Sequence, residues 1–173
     1  MKLLRNLIGL LAMIALHVAL QQFVPAVGRL LDPFLVWIVL QGLAANPLRG
    51  MLAGLVGGWC EDALTGESLF GLHGVAGTMV GYLVAQATRQ LSTASLPVLG
   101  LLFALAAALH EALLMALQML LNASPATLDP AWVGVRALLN GVFGIALIQG
   151  GGRMGRWGQE LRQSRRRKIR LDA

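Results

Sequence analysis

Over its first 150 positions the chain carries long unbroken apolar blocks separated by short polar interruptions, with no period-two alternation. Membrane barrel strands alternate, so continuous runs point instead to helices. The block from Leu7 to Leu20 follows Lys2 and Arg5 and predicts a first helix ending near Val24, ahead of Pro25. Its basic start and apolar centre have the form of a signal peptide, but no small-x-small cleavage site follows, so it reads as an uncleaved span. Asp32-Pro33 opens a second helix, with Asp as N-cap and Pro at the first helical position. Asn46-Pro47 stops it near Ala45. Such a segment rises only about 20 Å, short of the roughly 30 Å hydrocarbon core. It is therefore tilted into a thinned region, buried by neighbours, or continued irregularly. Further helices are predicted over Leu48 to Leu64, Leu69 to Thr88, Leu96 to Asn122, and from Asp129-Pro130 to Gln149.

Six spans place both termini on one side, and the charges sort accordingly. Lys2, Arg5, Arg49, Arg89 and the basic tail fall on one side. Asp32, Glu61, Asp62, Glu67 and Asp129 fall on the other, where Arg29 is the basic residue. Lys and Arg concentrate in cytoplasmic loops, so both termini are expected in the cytoplasm. The expected fold is all-α: a polytopic membrane domain of six transmembrane helices over residues 1–152, its second helix short, followed by a basic cytoplasmic tail over 153–173.

Composition changes this picture little. The chain is 57% hydrophobic and 13% charged, against about 25% charged for soluble domains. Mean hydropathy is +0.69. A single cysteine excludes an internal disulfide framework and a CxxC site. The net charge of +6 comes from the end of the chain, because eight of the fourteen basic residues follow Gly152. On an integral membrane chain this tail suits anionic lipid headgroups rather than nucleic acid. Trp157 within it marks an interfacial amphipathic segment, and from Gln163 onward a solvated, disordered end is expected.

The stretch GGWCEDALTGESLFGLHG gathers Cys60, Glu61, Asp62, Glu67 and His73 and has the look of a metal or catalytic site. Cys60 and Asp62, however, point about 160° apart at roughly 100° per residue, and His73 belongs to the next helix. The pattern reads better as structural. Gly50, Gly54 and Gly58 recur every fourth residue, continued by Asp62 and Gly66, and the next helix answers with Gly74, Gly77, Gly81 and Ala85. Small residues at that spacing let helices approach closely in lipid, so these two are expected to form a tight hairpin. Asp62 lies in the last turn of its helix, where the macrodipole disfavours a carboxylate. It is expected to accept backbone N–H groups of the turn, from about Gly66 to Phe70, with Gly66 as a left-handed terminus. Glu61 and Glu67 read as solvated loop charges.

The run GLVGGWCEDALTGESLFGLHGVAGTMVGYLVA resembles the signature of the MreD family, multi-pass subunits of the bacterial rod-shape (cell elongation) machinery. The resemblance rests on Asp62, Gly66, Gly71, Gly81 and Tyr82 and is strongest over residues 33–86. ALLNGVFG in the final span, with Asn140-Gly141, is also similar to the family's last span. The resemblance implies a non-enzymatic protein of the bacterial inner membrane, without cofactors. It would bind MreC and work with the MreB filament, the RodA glycan polymerase and its transpeptidase. The rival class is the substrate-binding subunit of an energy-coupling-factor vitamin transporter. That class has six helices too and uses small-residue faces such as Ala15 and Ala19.

Other polar residues lie within the apolar blocks, where ionisable groups are candidates for function. His110-Glu111 begins a zinc-protease HExxH, but Leu114 stands where the second ligand is required. Glu111, Gln118 and Asn122 share one face of the fifth helix, and Arg136, Asn140 and Gly144 form a stripe on the sixth. At matching depth these predict a polar seam between the two helices, with Arg136 reaching inward to Glu111. A partner groove and a transport path are the alternatives. His17 reads as a structural histidine.

Overall fold

A computed structural model describes residues 2–66, 69–90, 95–121 and 130–171. The described chain is entirely helical: α1 Lys2–Phe23, α2 Pro25–Gly28, α3 Pro33–Gly42, α4 Pro47–Thr65, α5 Leu72–Gln90, α6 Leu96–Leu120 and α7 Pro130–Leu171. Among the described residues three stretches are long and apolar enough to cross a membrane: Leu4–Phe23, Leu96–Leu120 and Ala131–Gly151. α4 and α5 have 19 residues each, about 28 Å of helix, with glycine lowering their apolarity.

The short α3 is the centre of the bundle. Phe34, Val36, Ile38 and Val39 are fully buried, and Asp32 caps the helix by accepting the Leu35 N–H at 2.9 Å. A helix that is apolar all round must be covered on every side. α3 packs against α1, α4, α5, α6 and α7. Of the three fates open to so short a segment, burial by neighbours is the one adopted. Two apolar cores flank it. One joins Leu35, Val36 and Val39 to Val80, Val84, Phe103 and Ala106. The other joins Phe34, Trp37 and Ile38 to Leu10, Met13 and Ala53.

Three details differ from the sequence expectation. Pro25 begins the extra one-turn helix α2 instead of a plain connection. α5 starts at Leu72, after Gly71 with φ 104°, and not at Leu69. α7 is one continuous helix to Leu171, passing both Gln149 and Gln163, because no proline interrupts its i to i−4 ladder. Glu67, Asn122 and Asp129 lie outside the described residues, as do the side chains of the basic tail.

Candidate functional site

The glycines of α4 and α5 interlock backbone to backbone. A Cβ at Gly50 would fall less than 3.0 Å from the Gly81 carbonyl oxygen. One at Gly54 would meet the Gly77 oxygen, and one at Gly58 the His73 oxygen, just as closely. At this separation the two helices gain dispersion energy along their whole length, the main attraction available between apolar segments in lipid. Tyr82, beside Gly81, faces outward; its hydroxyl accepts a hydrogen bond from the Gln86 amide at 3.2 Å.

The hairpin closes on Asp62, which is 2% exposed. Its carboxylate accepts the backbone N–H groups of Gly71 at 3.0 Å, His73 at 3.2 Å and Gly74 at 3.3 Å. Asp62 Oδ1 also lies 2.8 Å from His73 Nδ1. The donors thus come from further along than Gly66 to Phe70, from Gly71 just before α5 and from His73 and Gly74 in its first turn. The position is unfavourable in α4's own dipole and favourable in α5's, because the carboxylate serves as an N-cap borrowed across the hairpin. Gly66 ends α4 in the left-handed region at φ 64°, its N–H bonded to the Asp62 carbonyl. Gly71 supplies the second positive φ that turns the chain into α5. Both angles suit glycine, which has no Cβ to clash.

Glu61 corrects the reading of a solvated charge. It is 4% exposed, with Oε1 3.7 Å from His73 Nε2. The loop begins only after Thr65, so Glu61 still sits on the last turns of α4 and faces the bundle. His73 therefore stands between the two carboxylates. Its ring is 5.8 Å from that of His110 on α6, and His110 Nδ1 lies 4.0 Å from Asp32 Oδ2. Asp32 is also 3.9 Å from Arg136 Nη2 on α7. Arg136 Nη1 pairs with Glu111 Oε1 at 2.5 Å. The result is one largely buried cluster of ionisable side chains drawn from the N-cap of α3 and from α4, α5, α6 and α7.

Asn140 is fully buried, and its hydrogen bonds run to the entry of α3 and to its own helix instead of to α6. Its Oδ1 accepts the Asp32 N–H at 3.0 Å, and its Nδ2 donates to the carbonyls of Leu30 and Arg136 at 3.1 and 2.8 Å. It ties α7 to the entry of α3. The polar seam is therefore wider than two helices: Glu111 and Arg136 span α6 and α7, while Asn140 holds the central helix. Periodicity along single helices could not have revealed Asp32, Glu61, His73 and His110 as members. The available signal was a set of ionisable residues in otherwise apolar sequence.

The cluster holds the carboxylates of Asp32, Glu61, Asp62 and Glu111 against the guanidinium of Arg136 and the imidazoles of His73 and His110. Among the described residues, both nitrogens of His110, Asp32 Oδ2 and Glu61 Oε2 are buried without a hydrogen-bond partner. No group of three or more His, Cys, Asp or Glu among them is arranged to hold a metal ion. Cys60 is a free, half-buried thiol. His17, buried at 7% exposure, packs its ring 5.2 Å from that of Phe34.

Removing one member of a partly buried pair leaves the other short of its partner, and Arg136 also faces the buried Asp32, which makes it the sensitive position here. Arg136→Gln is expected to cost about 1–3 kcal/mol, with Glu111→Gln costing less, because Arg136 also faces Asp32. The double variant should be more stable than the sum of the two losses by at least about 0.5 kcal/mol. Thermal unfolding of the four detergent-solubilised proteins measures this, and strict additivity would show that the pair is uncoupled.

The chain matches none of the protein-family models, curated proteins or solved structures with which it was compared.

Proposed function

We propose that this chain is a multi-pass, non-enzymatic subunit of the bacterial cell-elongation complex. It is an MreD-type protein of the inner membrane that binds an MreC-like bitopic partner. Through that partner it helps couple the MreB filament to peptidoglycan synthesis by RodA and its transpeptidase. The observation that carries this reading is the convergence of the signature residues on one piece of mechanics. Asp62 caps α5, Gly66 and Gly71 take the two positive φ angles of the turn, and Gly81 meets Gly50 in the helix contact. A sequence pattern that specifies a rigid hairpin suits a scaffold that presents surfaces to other proteins.

In this reading α1, α3, α4, α5, α6 and α7 form six crossings with both termini in the cytoplasm. The buried α3 and the glycine-packed pair complete the set begun by the three long apolar helices. α1 offers a flank for a partner helix, because Leu4, Leu7, Ile8 and Leu11 are all more than half exposed. The basic tail then lies on the cytoplasmic side near lipid and filament.

Two measurements test the proposal. Reporter fusions at Met1 and Ala173 are expected to be active with a cytoplasmic reporter and silent with a periplasmic one; a split result removes the six-span topology. Affinity purification of the full chain in mild detergent from its native host is expected to retain a single-span periplasmic scaffold protein. Recovery of a bound vitamin or an ATPase coupling module in its place would establish the transporter reading.

A further inference from the structure

We propose that the groove between α1 and α4 is a binding site for an anionic phospholipid, with the phosphate at Arg49 and an acyl chain along α4. α1 packs on α3 and makes little contact with α4. This leaves a cavity of about 330 Å³ lined by Trp37, Leu52 and Val56 and bordered by Asn6, Gln41 and Arg49. That volume falls within the roughly 300–1,000 Å³ typical of small-ligand pockets. Leu48, Leu52 and Val56 follow one another at four-residue spacing, giving an apolar strip about 12 Å long that starts beside the polar end.

The charge at the mouth selects the occupant. Arg49 Nε donates to Gln41 Oε1 at 3.0 Å, and Nη2 donates to Gln41 Oε1 and to Asn6 Oδ1, the latter at 3.2 Å. All three contacts are to neutral amides. Among the described residues no carboxylate pairs with Arg49, and its Nη1 donates to none of them. The guanidinium is thus held in place by two side chains that leave its charge uncompensated. α4 begins at the same point, with the Asn46 side chain capping it through the Arg49 N–H at 3.1 Å, so the positive end of its dipole lies there too. A fixed cation and a helix N-terminus suit a phosphate, and the adjoining strip suits a hydrocarbon chain. Arg49 lies thirteen residues before Asp62, about 20 Å along α4, which places it towards the membrane boundary opposite the hairpin turn. The inference requires that the chain crosses a membrane and is independent of which complex it serves.

The test uses full-length protein in vesicles containing a trace of phosphatidylglycerol or phosphatidylcholine with a photoactivatable group in its acyl chain. Mass spectrometry then locates the adducts. Phosphatidylglycerol is expected to label the segment 48–56 about fivefold more than phosphatidylcholine, the ratio for one basic side chain facing anionic lipid. Arg49→Gln should bring that ratio to about one and Arg49→Lys should keep most of it. Excess inorganic phosphate should leave labelling unchanged. Leu52→Trp, at a position 53% exposed and so tolerant of bulk, should narrow the strip and lower phosphatidylglycerol labelling. Equal labelling by the two lipids, a ratio indifferent to Arg49→Gln, unchanged labelling in Leu52→Trp, or full displacement by free phosphate would each overturn the proposal. Reading adducts on this segment separates the groove from any lipid attraction of the basic tail.

Discussion

The Gly54→Val chain is expected to yield no monodisperse folded protein in detergent, while Gly134→Ala folds at least as well as the parent. At position 54 even a single methyl group would meet the Gly77 carbonyl oxygen and the Thr78 nitrogen at less than 3.0 Å. Both are backbone atoms, so no side chain can turn aside and the helices must separate. Overpacking by a methylene in a core typically costs about 1–3 kcal/mol. Here the displacement would also lift Gly50 off Gly81 and Gly58 off His73 along the same face. Gly54→Ala is therefore expected to lose about 3 kcal/mol, at the upper end of that range, and Gly54→Val the hairpin as a whole. At Gly134 no atom lies within 4 Å of the added Cβ, and replacing a helical glycine there should gain about 0.5–1 kcal/mol. Size-exclusion profiles and thermal midpoints of the three variants provide the measurement. A well-folded Gly54→Val protein would mean that α4 and α5 are not in backbone contact.

The second large effect is expected at Asp62. Asp62→Ala removes the acceptor of three backbone N–H groups and the partner of His73 Nδ1, in a site that is buried at His73 and Gly74 and partly buried at Gly71. Each stranded buried donor costs about 1–3 kcal/mol, so a total loss above about 3 kcal/mol follows. Asp62→Asn keeps one acceptor oxygen but turns an NH₂ group towards donors, so it should recover less than half of the loss. The pattern that identifies an N-cap is an intermediate Asn and a severe Ala. Equal stability of all three proteins in a denaturant titration would show that the carboxylate does not hold the turn. Amide exchange at Gly71, His73 and Gly74 gives a local readout, and faster exchange there, with α6 unchanged, is the expected signature.

These two sites also mark how far one-dimensional reading reaches. The glycine register and the aspartate that follows it are visible as spacing, and spacing is what helix geometry translates directly into a face. The capping role of Asp62 could be inferred because a carboxylate at a helix C-terminus requires a partner. The identity of its donors depended on where α5 begins, which Gly71 decides by leaving the helical region. The assignment of Glu61 to solvent failed for a different reason. Glu61 lies inside the predicted helix, which ends at Leu64 against Thr65 observed, so what failed was its direction: residues 61 and 62 are only about 100° apart on α4, and both carboxylates face inward.

By itself the sequence determined the helical class, most helix boundaries to within a few residues (the end of α7, which runs on to Leu171, is the exception), the shortness of the second predicted helix and the close approach of the glycine-rich pair. All of these follow from local hydropathy, capping residues and periodicity along one chain segment. Only the tertiary structure decided that α3 stands at the centre and that Asp32, Glu61, His73, His110 and Arg136 meet in one cluster. It also decided that Arg49 faces amides instead of an acid. Those facts depend on the rotation and depth of helices relative to one another, which are set by the packing of all neighbours together and leave no periodic trace in any single segment.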